Sequence, residues 1–360
     1  MPARRLPETP IDDSLCRRCQ LIEPAINVRT EPLCKDCFSK YVQTKVVKRM
    51  ESFRVRNAGP GQHRKLLLPL SFDACSLALL HILSQHQRGQ AEKTGRTGYK
   101  LYVLHIDNGS PVNTDDGSSL EKVKSRYPEH EYQSMPLSRL FSLDDMSGLF
   151  PEKATSDQGD EVDDNERLSA MLAASNKSAT TRQDLSQILT RRLAVRQAKN
   201  SGCEAIILSD STTKLAERIL AETAKGRGLS LPWVVADGES PQGLPFYFPL
   251  RELLAKEAHA YLSFLVPAMD ADMIRSDTRA PVSTKNTTID DLMQQYFQTV
   301  EQEYPSIVAN VVRTTNKLKA PSISLIEQLC ELCSMPLEGQ APAKSRLCYG
   351  CIRTLPAAGD

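Results

Sequence analysis

Ten cysteines in 360 residues carry the clearest chemistry in this sequence, because eight of them fall in four Cys-x-x-Cys pairs. Cys16, Cys19, Cys34 and Cys37 form one quartet; Cys330, Cys333, Cys348 and Cys351 form another. In both, 14 residues separate the second cysteine from the third. Two knuckles that each present a pair of thiolates can close a tetrahedron around zinc, the intervening loop bringing them together. The spacing therefore predicts two zinc ions per chain. A disulfide framework suits a short secreted chain better than one of this length. A redox Cys-x-x-Cys usually occurs once, at the start of a helix. Pairing of knuckles across the two ends is a further arrangement that spacing alone permits. With four cysteine ligands no coordination position is left for a reacting water, so such sites organise small modules with too little apolar area to fold unaided.

A second group of chemistry-bearing residues lies where an apolar run gives way to a helical pattern: Pro69-Leu-Ser71-Phe72-Asp73-Ala74-Cys75-Ser76. A third is cationic. After Cys37, the residues Phe38, Tyr41, Val42, Lys45, Val46, Met50 and Phe53 recur at helical spacing, and Lys40, Lys48, Arg49, Arg54 and Arg56 occupy the other faces. That is an amphipathic helix with a basic side leaving the first knuckle, suited either to solvent or to phosphate.

The elements that must position these groups alternate. Lys65-LLLPLS reads as a buried strand, and Cys75-SLALLHILSQH as a helix with Leu79, Ile82, Leu83 and His86 inward. Tyr99-KLYVLHID and Glu131-YQSMPL follow as strands, then a helix over Arg182 to Asn200, the strand Glu204-AIILS and a helix over Thr212 to Lys225. Strands separated by helices imply right-handed crossovers and a parallel sheet covered on both faces, with ligands beyond the carboxyl ends of the strands. Arg251 to Leu265, Thr288 to Glu303 and Ile307 to Leu318 also read as helical. Ser110 to Ser119 and Thr155 to Arg167, the latter with the acidic run from Asp160 to Glu166, read as surface loops. The organisation expected is a zinc module with its basic helix over 1–57 and an α/β domain over 58–320, with flexible insertions near 108–119 and 152–181. A second zinc module follows over 321–360.

Composition bounds the function. With 40% hydrophobic and 25% charged residues the chain is an ordinary soluble protein, and a net charge of +1 leaves no global basic field, so any nucleic-acid surface must be local. The segment MPARRLPETPIDDS has no apolar core and is not read as a secretory signal. Apolar stretches such as Leu66 to Leu70 fall far short of the roughly 20 residues a membrane span needs. An intracellular, reducing location with no membrane association is the expectation.

Taken together these segments resemble the tRNA 2-thiolation branch of the PP-loop (ATP-pyrophosphatase) family, over nearly the whole chain. The resemblance rests on the first quartet followed by FSKYVQTKVVKR, on His105-Ile-Asp107-Asn-Gly109 and on the pair Arg191-Arg192. It also rests on Leu208-Ser-Asp210-Ser-Thr-Thr-Lys-Leu-Ala-Glu217, on Pro249-Leu-Arg251-Glu252 and on the second quartet. The family's loop is Ser-Gly-Gly-x-Asp-Ser, which wraps the pyrophosphate of ATP. Here Ser71 and Ser76 are kept, but Phe72 and Asp73 stand at the glycines and Cys75 at the aspartate. Glycine lets backbone N–H groups approach phosphate; a phenylalanine would fill that space and a carboxylate would repel the ligand. Ser76 remains able to cap the helix. The cysteines that handle sulfur in catalytic members are replaced by Asp184 and Gln187, and no cysteine lies between Cys203 and Cys330. Cys75 and Cys203 read as small buried side chains.

The resemblance implies a degenerate parallel-sheet PP-loop domain between N- and C-terminal four-cysteine zinc modules, binding zinc but neither ATP nor an iron–sulfur cluster. It further implies a heterodimer with a catalytic paralogue that 2-thiolates the wobble uridine of cytoplasmic lysine, glutamate and glutamine tRNAs. Sulfur would come from a thiocarboxylated ubiquitin-related modifier, and this chain would bind tRNA. The tRNA-contact candidates are Lys45, Lys48, Arg49, Arg54, Arg191, Arg192, Lys214, Arg218, Lys225 and Arg227, with Lys225-Gly-Arg227-Gly expected as a flexible cationic loop. Two alternatives stay open: a divergent but active uridine-adenylating enzyme, and a zinc-stabilised interaction protein that binds no RNA.

Overall fold

Alternating apolar residues on a short strand dictate where everything else packs. In the computed structural model, which describes residues 12–57, 59, 64–108, 116–143, 149, 163–174, 178–265 and 287–355, Leu66 and Leu68 face one side of a sheet and Leu67 the other. A hairpin of β1 (Ile26–Val28) and β2 (Glu31–Leu33) lies within the first quartet. The main sheet contains β3 (Lys65–Pro69), β4 (Lys100–Asp107), β5 (Glu131–Pro136), β6 (Ala205–Ile207) and β7 (Phe246–Tyr247), in the order β5-β4-β3-β6-β7, all parallel. The order reverses beside β3, which creates a crevice beyond the carboxyl ends of β3 and β6.

The helices are α1 (Lys35–Arg49), α2 (Ala74–Thr94), α3 (Asp116–Arg126), α4 (Leu140–Leu143), α5 (Asp164–Ala174), α6 (Ala179–Asn200), α7 (Thr212–Ala224), α8 (Leu231–Val234), α9 (Ala255–Phe264), α10 (Ile289–Glu303), α11 (Pro305–Thr315) and α12 (Tyr349–Thr354). One apolar cluster joins Leu66, Leu68 and Val103 to α2, α9, α1 and the first quartet; the other joins Leu67, Leu104 and Ile206 to α6, α7 and the second quartet. The two cysteine modules thus sit on opposite faces of one sheet, each continuous with the core beneath it.

Several boundaries differ from the sequence-based expectation. The segment 152–181 is not wholly loop: Asp164, Asn165 and Glu166 open α5, where acidic residues favour the positive helix end, and Ser138 Oγ donates to Asn165 Oδ1 at 2.7 Å. In 108–119, residues from Asp116 onward belong to α3, while 109–115 lie outside the described residues. Helix α9 begins at Ala255 rather than Arg251, because Glu257 reaches back to the backbone N–H of Leu254 at 2.8 Å.

Two buried histidines between α2 and β5 make stability pH-dependent. His81 Nδ1 meets Tyr127 Oη at 2.8 Å, and His130 Nε2 meets Ser84 Oγ at 2.7 Å. Burial, reinforced by Arg126 and Arg88, pushes His81 down to about 4. Burial does the same for His130 against an opposing pull from Glu129. Both folded values lie below the unfolded one, so the unfolded chain binds more protons between them. The stabilisation is complete above about pH 6.5 and is lost as pH falls toward 4, by up to ~3 kcal/mol per histidine. Urea midpoints measured at pH 7.5 and 5 should show this drop, and His130→Gln should shrink it; an unchanged midpoint would refute the assignment.

Candidate functional site

Each cysteine quartet closes on itself. The four Sγ atoms of Cys16, Cys19, Cys34 and Cys37 lie within 4.8 Å of one another, as do those of Cys330, Cys333, Cys348 and Cys351, so the knuckles do not pair across the ends. The Sγ separations Cys19 to Cys34 and Cys333 to Cys348 are both 3.8 Å. Zinc–thiolate bonds of ~2.3 Å in a tetrahedron place sulfurs about 3.8 Å apart, whereas a disulfide needs ~2.05 Å. The donor set fits a single tetrahedral ion such as zinc, whose role in a closed site is to hold the module together.

The two modules are built alike. Gln20 and Ser334, each just after a knuckle, adopt left-handed φ of 51° and 58° and donate their N–H to the carbonyls of Cys16 and Cys330 at 2.9 and 2.8 Å. The second pair opens a helix: Cys34 and Cys348 are the N-caps of α1 and α12, with Cys37 and Cys351 in the first turns. Helix N-termini favour thiolates. The backbone N–H of Cys348 also donates to Cys330 Sγ at 3.4 Å.

At the crevice the strand–helix turn is closed by the protein's own charges. Phe72 keeps the backbone that glycine adopts freely, with φ of 59°. Its ring is buried and packs on His105, centroids 4.9 Å apart, so it turns into the core rather than standing over the loop. Asp73, not Ser76, caps α2: its Oδ1 accepts from the Ser76 N–H at 2.8 Å. Its Oδ2 accepts from Ser71 Oγ and from Lys214 Nζ, both at 2.7 Å. Burial alone would raise the Asp73 carboxyl, but the Lys214 ammonium and the bonds from Ser71 and Ser76 outweigh it and hold it at about 2. The helix N-terminus that would attract a phosphate is thus occupied by a carboxylate, with a lysine from α7 neutralising it. Lys214, a tRNA-contact candidate by sequence, is thus taken up by a carboxylate 141 residues away in the chain.

Where the family's sulfur cysteines would stand, Asp184 is buried on α6 and accepts two bonds from Arg227 at 2.9 and 2.5 Å. Lys225 approaches it at 3.1 Å, and Thr354 Oγ of the second cysteine module donates to it at 2.8 Å. Lys225 also pairs with Glu222 at 2.8 Å and Asp290 at 3.2 Å. Lys225 and Arg227 are therefore not a flexible cationic loop: both are buried and saturated by carboxylates, as charges removed from water must be. Gln187 is exposed at the same helix face. Cys75 and Cys203 are buried, as expected.

The other basic candidates divide. Arg192 donates to the carbonyls of Glu331 and Leu332, bracing the second module; Arg218 pairs with Asp210 at 2.7 Å. Arg191 is stacked over Phe246 at 4.3 Å with Nε on Gln242 Oε1 at 3.1 Å. On α1, Arg49 binds Asp237, and Lys45 lies 3.8 Å from Glu252 and 4.9 Å from the Tyr41 ring centre. Arg54 pairs with Glu51 at 3.4 Å and is partly exposed, and Lys48 is exposed. Between α6 and the ends of β3, β4, β6 and β7 lies a cavity of about 310 Å³, lined by Asp184, Gln187, Arg191 and Cys333 among others.

This chain has relatives among known proteins. The chain is 45% identical over 372 aligned positions to "Cytoplasmic tRNA 2-thiolation protein 2" of Phaeosphaeria nodorum, covering 96% of this chain and 95% of that one. The protein of the same name from Pyrenophora tritici-repentis is 44% identical, with 95% of each chain covered. A family model of the same description matches residues 288–346. The chain belongs to the cytoplasmic tRNA 2-thiolation protein 2 family. Among solved structures, the fold is similar to that of the U34-tRNA thiolase NcsA from Methanococcus maripaludis, determined with its [4Fe-4S] cluster. The TM-score is 0.57 at 16% identity, over 88% of this chain and 91% of that one. For this member of the family, the parallel-sheet PP-loop fold expected from the motifs is thereby confirmed. The family match spans α10 and α11, both packed on α7, and reaches Cys330 and Cys333 of the second quartet. Among the described residues no helix is long and apolar enough to cross a membrane.

Proposed function

We propose that this chain is the non-catalytic subunit of a cytoplasmic heterodimer that 2-thiolates the wobble uridine of lysine, glutamate and glutamine tRNAs. Its catalytic paralogue would use ATP and sulfur from a thiocarboxylated ubiquitin-related modifier. The observation that carries the reading is the Asp73–Lys214 pair, which takes both the phosphate position at the α2 N-terminus and the counter-charge that would hold it. The presence of Asp184, bound by Arg227, and of Gln187 at the positions of the sulfur cysteines supports it independently. Zinc, held by the two quartets, supplies rigidity to the surfaces that meet tRNA and the paralogue.

The purified chain is expected neither to hydrolyse ATP nor to thiolate tRNA, and to support thiolation when combined with its paralogue. Full tRNA thiolation in cells that lack this chain would sink the proposal. A thermal scan tests the loop directly. A site with a Kd of ~10 µM would add about 2.7 kcal/mol at 1 mM Mg-ATP, a readily measured rise in Tm. No rise is expected, and a clear one would restore the enzyme reading.

The tRNA surface is proposed to include Lys48 and Arg54, the α1-side candidates least engaged with the rest of the protein. Reversing both charges should weaken tRNA binding and flatten the log K against log salt slope by about 1.5. Unchanged affinity and slope would remove them.

A further inference from the structure

We infer that the cavity beside α6 is a binding site for a small organic carboxylate with a flat apolar body. Its volume of about 310 Å³ lies at the lower end of the range of small-molecule sites. Ile106, Ile188, Ile206 and Met335 contribute apolar wall. Its charged groups are not equivalent. Asp184 and Glu222 are taken up by Arg227 and Lys225, and Arg218 by Asp210 at 2.7 Å. Among the described residues no carboxylate pairs with Arg191.

The Arg191 guanidinium is nevertheless fixed. It stacks over the Phe246 ring at 4.3 Å, and Nε donates to Gln242 Oε1 at 3.1 Å. Nη2 is buried with no acceptor. Leaving a buried N–H of a charged group without a partner costs ~1–3 kcal/mol or more. Burial, together with the neighbouring Arg218, holds Arg191 down to about 10, so it remains a cation at neutral pH. A planar, oriented guanidinium is matched best by a carboxylate, and the apolar wall by a flat hydrocarbon body. Asp210, Glu222 and Cys333, which also lines the cavity, act on Arg191 from further away and temper its pull on an anion. A compact ligand of about nine non-hydrogen atoms should then bind with a Kd on the order of 1 mM. This inference does not depend on tRNA binding.

The test is a titration of the full-length, zinc-loaded chain with methyl labelling, using benzoate, its neutral counterpart benzamide, and inorganic phosphate. Benzoate should perturb the methyl groups of Ile106, Ile188 and Ile206 and bind at least tenfold more tightly than either of the others. Arg191→Met should reduce benzoate to the level of benzamide. Ser186→Phe, which narrows the cavity at a partly exposed position and leaves Arg191 in place, should weaken benzoate tenfold; it decides the matter if Arg191→Met does not fold. Equal binding of benzoate and benzamide would mean that a neutral acceptor suffices, and equal binding of phosphate that charge alone is read. Either result, perturbations confined to methyls elsewhere, or undiminished binding by both variants would overturn the inference.

Discussion

Replacing Cys348 by serine should abolish one of two bound zinc ions and leave the chain largely insoluble. The physical reason is the loss of one of four thiolates: serine keeps the backbone N–H that meets Cys330 Sγ and can still cap α12, but its hydroxyl is a poor zinc ligand. Structural zinc contributes an apparent ~10–16 kcal/mol in small zinc-dependent modules. A whole domain is stable by only ~5–15 kcal/mol, so losing a ligand removes a large share. The damage would not stay in the module. Cys330, Leu332, Cys333, Met335 and Leu347 belong to the same apolar cluster as Leu67, Leu104 and Ile206 of the sheet. Cys16→Ser should be comparably severe on the other face, where Cys16 and Cys34 join the cluster of Leu66, Leu68 and Leu79. Elemental analysis and soluble yield are the measurements. Two zinc ions retained in a soluble Cys348→Ser protein would contradict the account.

The second large effect concerns Asp184. Asp184→Leu would leave Arg227 buried with only Glu222, at 3.4 Å, as a carboxylate partner, and would take the 3.1 Å partner from Lys225, while Thr354 keeps the Gly350 carbonyl at 2.9 Å. Breaking a buried pair in this way costs ~3–5 kcal/mol. Removing both charges, as Asp184→Leu with Arg227→Met, leaves no orphan between them and should recover much of that loss. Denaturant unfolding of the two single variants and the double variant closes the cycle; additive losses would show that the pair is not coupled. The sign of the pH effect follows from the same bonds. Burial raises the Asp184 carboxyl, but Arg227, Lys225 and Thr354 lower it further, for a net depression. Its contribution is therefore present above the unfolded carboxylate range and lost as pH falls through the lower folded value.

The quartets, the strand–helix alternation and the altered loop were all legible in the sequence, and for local reasons. A Cys-x-x-Cys knuckle, a run such as Leu66 to Leu68 and a turn of six residues each express their physics within one segment. The basic residues were not legible in that way. Beyond the local Glu222, whether Lys214, Lys225 or Arg227 faces solvent depends on Asp73 and Asp184, 141 residues from Lys214 and 43 from Arg227, and charge alone carries no sign of such a partner. By its neighbours Arg227 belongs to a loose glycine-flanked loop, yet its side chain is bound to Asp184, Glu222 and Thr354. Even Phe72 was half legible: its clash with a phosphate loop could be anticipated, but not that its ring would turn inward against His105 and leave Asp73 to cap α2.

Two four-cysteine sites, a parallel α/β sheet between them and a strand–helix loop with Phe72 and Asp73 in place of glycines follow from the order of residues alone. That the two modules lie on opposite faces of that sheet, and that Asp73 and Lys214 close the crevice, comes from how the chain packs. Ligand spacing and hydrophobic period are properties of short segments, whereas the pairing of buried charges is set by which surfaces the fold brings together.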